Sequence, residues 1–135
     1  MSLLADDKAL ILDLSARCNH TFDSERWDDW IECYASGAVY DAPALNRRLV
    51  GHEALRALTL RLPVPIRTLL TTHVIDVDGD SATMLAFFSV LRLDDPPQTI
   101  AVGRYEDRLA KVDALWSITQ RRVVVYWKKC ENGWA

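Results

Sequence analysis

The first half of the chain carries apolar residues at helical spacing. This pattern predicts a helix over residues 6–22, a shorter helix over 25–35 and a third over 52–62. Pro63 and Pro65 end the third helix, because proline cannot continue a helix. The apolar stripe of the first helix consists of Leu10, Ile11, Leu14, Cys18 and Phe22.

The hydrophobic pattern changes after residue 66, where Thr, Val and Ile become frequent. Asp78-Gly79 is a strong signal for a tight hairpin between two strands. A short strand is predicted at 38–40, between the second and third helices. Long strands are predicted over 67–77, 81–93, 99–111 and 115–127, followed by a loose polar tail at 128–135.

Helices first and an antiparallel meander second indicate an α+β fold. The predicted strands are about twice the usual length of ~5–6 residues, so the sheet must twist and bend strongly. We therefore expect one domain, residues 1–135, with three N-terminal helices packed on a strongly curved, mostly antiparallel sheet. Such a sheet encloses a pocket between its concave face and the helices.

The strand at 81–93 is apolar on both faces. Met84, Phe88 and Val90 point one way, and a second apolar set points the other way: Leu85, Phe87 and Leu91. A sheet open to water on one side would alternate apolar and polar residues instead. We expect the outer face to meet a second subunit, in a homodimer or homotrimer.

Composition removes several classes of function. Sixteen Lys and Arg against nineteen Asp and Glu give a net charge of −3, which argues against nucleic-acid binding. No apolar run approaches the ~18 residues of a membrane helix, and Asp6 and Asp7 interrupt any secretory signal. The widely spaced Cys18, Cys33 and Cys130 favour reduced thiols in a cytoplasmic protein, and no metal or organic cofactor is expected.

His73 is a candidate general base in an apolar strand. It is expected to share a face with Thr71 and Ile75, and a neutral imidazole there has an ordinary pKa near ~6.5. A core histidine held by a backbone carbonyl is the alternative. Asp23 lies between the first two helices, where a carboxylate can turn inward and bond an imidazole. Its alternative is a helix cap or turn residue.

Aromatic and basic side chains complete the candidate pocket. Tyr40 and Tyr105 could each present a phenol, and Phe88 lies on the inner face of its strand. Arg122 shares its parity with Trp116 and Ile118, so a regular strand would point it inward. A bulge would exchange it with Arg121. The expected substrate-binding set is Tyr40, Phe88, Tyr105 and Arg122.

Several segments together, in order and spacing, carry a family resemblance. They are residues 22–28 (FDSERWD), 51–55 (GHEAL), 72–82 (THVIDVDGDSA), 103–109 (GRYEDRL) and 116–118 (WSI). The chain resembles the SnoaL-like group of the nuclear-transport-factor-2-like superfamily, whose members are cone-shaped α+β barrels. Within that superfamily, scytalone dehydratase, bile-acid 7α-dehydratase and hexachlorocyclohexane dehydrochlorinase use an Asp–His pair, and Asp23 and His73 match its two positions.

The resemblance implies a cofactor-independent lyase or isomerase acting on a small, largely apolar molecule. His73 would remove a proton beside an activating group, and Asp23 would hold the imidazole tautomer. Arg92 and Tyr105 stand where scytalone dehydratase has a histidine and an asparagine, so its substrate is not implied. The alternative is a non-catalytic ligand-binding or partner subunit, since this fold serves both uses.

Overall fold

The computed structural model describes residues 4–59 and 65–129, and these form helices followed by a sheet. This order confirms the predicted α+β class. The elements are α1 (Leu4–Asp23), α2 (Trp27–Glu32), β1 (Tyr34–Ala42), a 3₁₀ turn (Pro43–Leu45), β2 (Arg47–Val50), α3 (His52–Thr59), β3 (Ile66–Asp78), β4 (Ser81–Arg92), β5 (Gln98–Val112) and β6 (Leu115–Lys128).

The strands form a single curved sheet in the order β2-β1-β6-β5-β4-β3. β1 runs parallel to β6, and every other neighbouring pair is antiparallel. β2 and β3 are the two edges, so the cone is an open, mixed sheet and not a closed barrel. The predicted hairpin is confirmed: Asp78 pairs with Ser81, and Gly79 has φ +61°, which a tight turn of the II′ type requires.

β-Bulges bend the long strands. The strand register shifts between Thr71 and Val74, between Val90 and Leu91, and between Arg108 and Leu109. Each bulge adds a residue to one strand, which increases the local twist and turns later side chains to the opposite face. The sheet can therefore curve around α1, but face assignments by simple alternation fail beyond each bulge.

The structure departs from the sequence prediction most clearly at the start of β1, at β2 and at the end of β6. β1 begins at Tyr34, inside the helix predicted for 25–35, because Tyr34 pairs with Ile118 of β6. β2 was not predicted at all. Lys128 belongs to β6, and the Lys129 amide donates to the Ile100 carbonyl at 2.8 Å, so the start of the predicted loose tail is paired. Residues 60–62 of the predicted third helix and 130–135 of the tail lie outside the described residues.

Helix α1 is tied to the sheet near both ends. Near its start, the buried Asp7 accepts hydrogen bonds from Trp116 Nε1 and Lys111 Nζ, both at 3.1 Å. At its end, the Asp23 carboxylate accepts from the Thr68 amide at 2.8 Å. These bonds hold α1 across the concave side, which agrees with the prediction that helices cover one face of the sheet.

Two apolar clusters fill the concave side. One gathers around Ile11, Trp30 and Ile118, and the other around Phe88 and Val123. Phe22 and Tyr40 pack against both clusters, so they mark the boundary between them. The candidate functional site lies on this concave side, where the two clusters meet.

The outer face of the sheet is apolar and exposed, as the two-sided pattern of β4 predicts. Met84 and Phe88 are buried inside, whereas Leu85 and Phe87 keep 44% and 46% of their surface. Tyr126 lies beside them, with its ring centroid 6.4 Å from that of Phe87. Exposed apolar area of this kind on a sheet is typical of a surface that meets another protein.

Candidate functional site

Asp23 faces the edge of the sheet at Thr68. Its carboxylate accepts from the Thr68 amide at 2.8 Å and lies 3.5 Å from the Thr68 hydroxyl, while Asn19 Nδ2 donates to the Thr68 carbonyl at 2.6 Å. Burial raises the pKa of Asp23, although the Thr68 bonds and the charge of Arg67 act in the opposite direction. The end of α1 therefore satisfies the free backbone groups of an edge strand.

His73 points toward α1 from a bulge in β3. Thr72 has φ +59°, and Thr71 faces Phe87 on the outer side of the sheet. His73 therefore does not share a face with Thr71, contrary to the prediction. Its Nε2 lies 3.4 Å from the hydroxyl of Ser15, which is buried on α1. Burial lowers the pKa of His73, against the opposing charge of Asp107.

Asp23 and His73 make no hydrogen bond to each other among the described residues. The partner of Asp23 on β3 is Thr68, five residues before His73, which corresponds to about 15 Å of strand. The charge that acts on His73 is that of Asp107. The structure thus does not bring together the Asp–His pair that the resemblance implies. The end of α1 meets β3 at Thr68, five residues before His73.

Tyr40 and Tyr105 present phenol hydroxyls without a hydrogen-bond partner among the described residues. Burial raises the pKa of both phenols, and the charge of Tyr40 further raises the pKa of Tyr105. No enclosed side-chain oxygen or nitrogen of the described residues lacks a partner. Both hydroxyls therefore retain contact with open space, although their rings pack in the core.

Phe88 forms a wall beside Tyr105. Their rings stack with centroids 4.7 Å apart and an interplanar angle of 23°. Gly103 makes this possible, because a Cβ there would lie 2.7 Å from Phe88 Cζ and would also strike the Val124 carbonyl oxygen. Phe88 is thus placed on the inner face, as expected, by a glycine on the neighbouring strand.

Arg121, not Arg122, points into the concave side. The register of β6 jumps from Ile118 to Gln120 opposite β5, so Thr119 is an extra residue that reverses the alternation. Arg121 is 6% exposed, whereas Arg122 lies on the outer face. The prediction for Arg122 is wrong for the reason considered with it, a bulge.

Arg121 is held by a buried acid and by two aromatic rings. Its Nε and Nη2 donate to the two carboxylate oxygens of Asp107 at 2.9 and 2.8 Å, and its Nη1 donates to Tyr34 Oη at 3.3 Å. The guanidinium carbon lies 4.1 Å from the centroid of the Tyr105 ring. Burial lowers the pKa of Arg121, but Asp107, Tyr34 and Cys18 together more than offset this, so the side chain remains charged.

Ala86, which has a small side chain, lies between His73 and Tyr105 on the sheet. Tyr105 pairs with Ala86, and the bulge residues Thr72 and His73 together face Ala86 from the other side. His73 and Tyr105 are therefore two strands apart, about 10 Å, with only a methyl group between them.

Sequence reasoning missed Ser15 and Asp107. Ser15 occupies the inner stripe of α1, four residues after Ile11 and three before Cys18, so its helical position marks it. Asp107 shares the parity of Tyr105 and Leu109 on β5, which places a carboxylate on the inner face. A polar residue at a core parity was the available signal in both cases.

A surface hollow lies beside His73, away from Tyr40 and Tyr105. It is an open cleft of about 470 Å³ between the first turns of α1 and the middle of β3. Its lining includes Lys8, Leu12, Val74 and Asp76, and one edge of His73 reaches it. Two charged side chains, Lys8 and Asp76, stand among mainly apolar lining residues.

Other expectations concern metals, membranes and thiols. Within residues 4–59 and 65–129, no three His, Cys, Asp or Glu residues are grouped to hold a metal ion. None of the helices in these ranges has the length and apolar character needed to cross a membrane. Cys18 and Cys33 are free thiols, and Cys130 lies outside the described residues.

Comparison with known proteins places this geometry in context. The sequence profile of the SnoaL-like domain matches residues 4–122. No curated protein matches the chain in sequence. The Rv3472 protein of Mycobacterium tuberculosis, in a variant form and of unknown function, is 27% identical, with a TM-score of 0.82 over 91% of this chain and 76% of its own.

Two structures from Novosphingobium aromaticivorans share the fold. One is proposed to be the beta subunit of an aromatic-ring-hydroxylating dioxygenase, with 16% identity and a TM-score of 0.82 over 95% of this chain and 94% of its own. The other is proposed to be a scytalone dehydratase, with 15% identity and a TM-score of 0.81 over 95% and 89%. The same fold is thus found under one name for an enzyme and another for a subunit.

Proposed function

The chain belongs to the SnoaL-like domain family, and we propose that it binds a small, largely apolar molecule carrying an oxygen acceptor on the concave face of its sheet. The observation that carries this proposal is the pair of phenol hydroxyls of Tyr40 and Tyr105, which have no protein partner among the described residues. Two hydroxyls that face open space beside apolar walls can each donate a hydrogen bond to a ligand.

The chemistry of the two phenols indicates which hydrogen-bond acceptor the ligand carries. The raised pKa of each keeps the hydroxyl protonated at neutral pH, so each can donate one hydrogen bond. A carbonyl, ether or phenol oxygen accepts such bonds. The surrounding walls are apolar: Phe22, Leu70, Phe88 and Val123. A ligand with an aromatic or alicyclic body and one oxygen function matches this arrangement.

A titration with acetylnaphthalene, a flat ketone, tests the proposal. Quenching of tryptophan fluorescence should saturate in the parent protein, and Tyr40→Phe with Tyr105→Phe should weaken binding by about tenfold, because two donors are lost. Tyr126→Phe is the matched control, since its hydroxyl bonds Arg104 on the outer face. Equal affinity in all three proteins would refute the phenol site.

A lyase or isomerase reaction is the second candidate, favoured by His73. Its lowered pKa favours a neutral imidazole, which can accept a proton, and it faces Tyr105 across Ala86. In this scheme His73 takes the proton from the carbon beside a carbonyl, and Tyr105 donates to the oxygen that gains the charge. Expulsion of hydroxide or halide gives elimination, whereas return of the proton elsewhere gives isomerisation.

In this scheme Asp23 does not have the role that the resemblance implies. Its carboxylate is engaged by Thr68, so it supports the edge of the sheet and does not orient the imidazole.

Exchange of the acetyl protons of acetylnaphthalene for deuterium tests His73 as the base. His73→Gln should abolish protein-dependent exchange, and the exposed His20→Gln should leave it unchanged. Without any exchange above buffer, the binding function stands alone.

The outer face supports self-association, and we propose a homodimer or homotrimer joined through it. Leu69, Leu85 and Phe87 are exposed there on the adjoining strands β3 and β4, and the ring of Tyr126 on β6 contacts Phe87. Self-association would remove this apolar area from water, at roughly 25 cal/mol for each Å². The concave site lies on the opposite face, so ligand binding and assembly use separate surfaces.

A further inference from the structure

We infer that the ligand of the concave site is electrically neutral, because the buried cation beside that site is already neutralised by a buried acid. This inference rests on the proposed binding function and narrows its ligand class. Among the described residues, Arg121 is the only buried arginine or lysine. An anionic ligand would need the positive charge of Arg121. The hydrogen bonds that Arg121 already makes therefore determine whether such a ligand can pair with it.

The hydrogen-bond donors of Arg121 are directed at the protein. Asp107 takes Nε and Nη2 in a two-point contact, and Tyr34 Oη and Cys18 Sγ lie 3.3 and 3.9 Å from Nη1. The Tyr105 ring covers one face of the guanidinium. A carboxylate or phosphate group would have to displace Asp107 to obtain the paired contact that arginine offers to anions.

The other groups at the site add no positive charge. Tyr40 and Tyr105 are neutral donors, and the burial of His73 favours its uncharged form. Asp107 and Arg121 cancel, so this pair brings no net positive charge to the site. A negative ligand would sit near Asp107 without a counter-charge, and an unpaired charge is costly in a largely apolar enclosure.

Arg47 is a further cation that acts on Tyr40. It acts on Tyr40 more weakly than Arg121 does, and it lies on β2, at the edge of the sheet. It is partly exposed, so water screens its charge. Arg47 is therefore a poor substitute for a buried cation.

A matched pair of probes tests the inference on the parent protein. Acetylnaphthalene and naphthoate have the same ring system and an oxygen acceptor at the same place, but only naphthoate is charged near neutral pH. Acetylnaphthalene should bind at least about tenfold more tightly. Equal or tighter binding of naphthoate would overturn the inference and would leave the proposed binding function standing.

A variant isolates the part played by Asp107, because any apolar pocket disfavours a charged molecule to some degree. Asp107→Asn keeps the shape of the side chain and uncovers the charge of Arg121. The affinity ratio should shift toward naphthoate by at least about tenfold. Asp113→Asn, the same change in the exposed turn between β5 and β6, should leave the ratio at its parent value.

The outcomes separate the two claims. An unchanged ratio in a folded Asp107→Asn protein would overturn the neutralisation argument, and the parent comparison decides alone if that variant does not fold. Failure of both probes to bind the parent protein would overturn the proposed function and this inference together. Binding of acetylnaphthalene that does not depend on Tyr40 and Tyr105 would overturn the site, whatever the ratio.

Discussion

Asp107 holds both ends of the Arg121 guanidinium, with distances of 2.9 Å from Nε to Oδ1 and 2.8 Å from Nη2 to Oδ2. The two residues lie opposite each other on β5 and β6 and are almost completely enclosed. This pair places a rigid, planar support behind Tyr105. It fixes the phenol that the proposed ligand would contact, and it also fixes the net charge of the site.

Replacing one member of the Asp107–Arg121 pair should destabilise the protein far more than replacing both members. Asp107→Leu leaves a charged guanidinium buried without a counter-charge, and we expect a loss of about 3–5 kcal/mol in the free energy of unfolding. The double variant Asp107→Leu with Arg121→Met should regain most of that loss. Urea denaturation measures both, and a double variant as unstable as the single one would show that the pair itself stabilises the fold.

Gly103→Ala should destabilise the protein by about 1–3 kcal/mol, because the new methyl group overlaps a wall of the site. The added Cβ meets Phe88 Cζ and the Val124 carbonyl oxygen, so both strands must shift. Gly37→Ala is the matched control, since nothing lies within 4 Å of its Cβ position. Thermal unfolding compares the two, and equal melting temperatures would contradict the close contact.

Asp23→Asn should stabilise the protein more at neutral than at acid pH. Burial raises the pKa of Asp23 in the folded state, so folding favours the protonated acid. The stability from this group is fully present below the unfolded pKa of about 3.9 and is lost as the pH rises through the higher folded pKa. Asparagine keeps an oxygen for the Thr68 amide and never ionises.

Unfolding free energies of the parent and Asp23→Asn proteins, measured near pH 3 and near pH 7, check this sign. The difference should grow in favour of Asp23→Asn at the higher pH. A difference that grows in favour of the parent would show that the charge itself is stabilising, through Arg67 or the Thr68 bonds. Asp113→Asn in the exposed turn should show no such trend.

Much of the fold followed from local patterns, and the failures have local causes. The helical pattern of α1 and the Asp78-Gly79 turn are short-range signals, and both elements were placed correctly, although Leu10 of the predicted stripe is 49% exposed. The four residues of β2 carry two arginines and gain their structure from pairing with β1, which no local pattern reveals. Tyr34 likewise joins a strand because β6 lies beside it.

The site was harder to predict because faces depend on bulges. One extra residue at Thr119 exchanges Arg121 with Arg122, and one at Thr72 separates His73 from Thr71. Tyr40, Tyr105 and Phe88 do lie on the inner side, so the aromatic part of the predicted set is located as expected. The contact of Asp23 with Thr68 depends on where α1 ends over β3, which spacing alone does not determine.

Phe87→Glu should convert the protein to a monomer if the outer face joins subunits. A buried charge in such an interface is costly, whereas the same charge on a free face is not. Light scattering should give two or three times 15.3 kDa for the parent and 15.3 kDa for the variant. Leu10→Glu, at an exposed apolar position on α1, is the control that should keep the parent mass.

The position of a bound ketone tests the central claim most directly. In a crystal structure of the complex with acetylnaphthalene, the carbonyl oxygen should lie within hydrogen-bond distance of Tyr40 Oη or Tyr105 Oη, with the rings beside Phe88 and above Ala86. A ligand seated instead in the cleft between Lys8 and Asp76, or on the outer face at Phe87, would contradict the concave binding site.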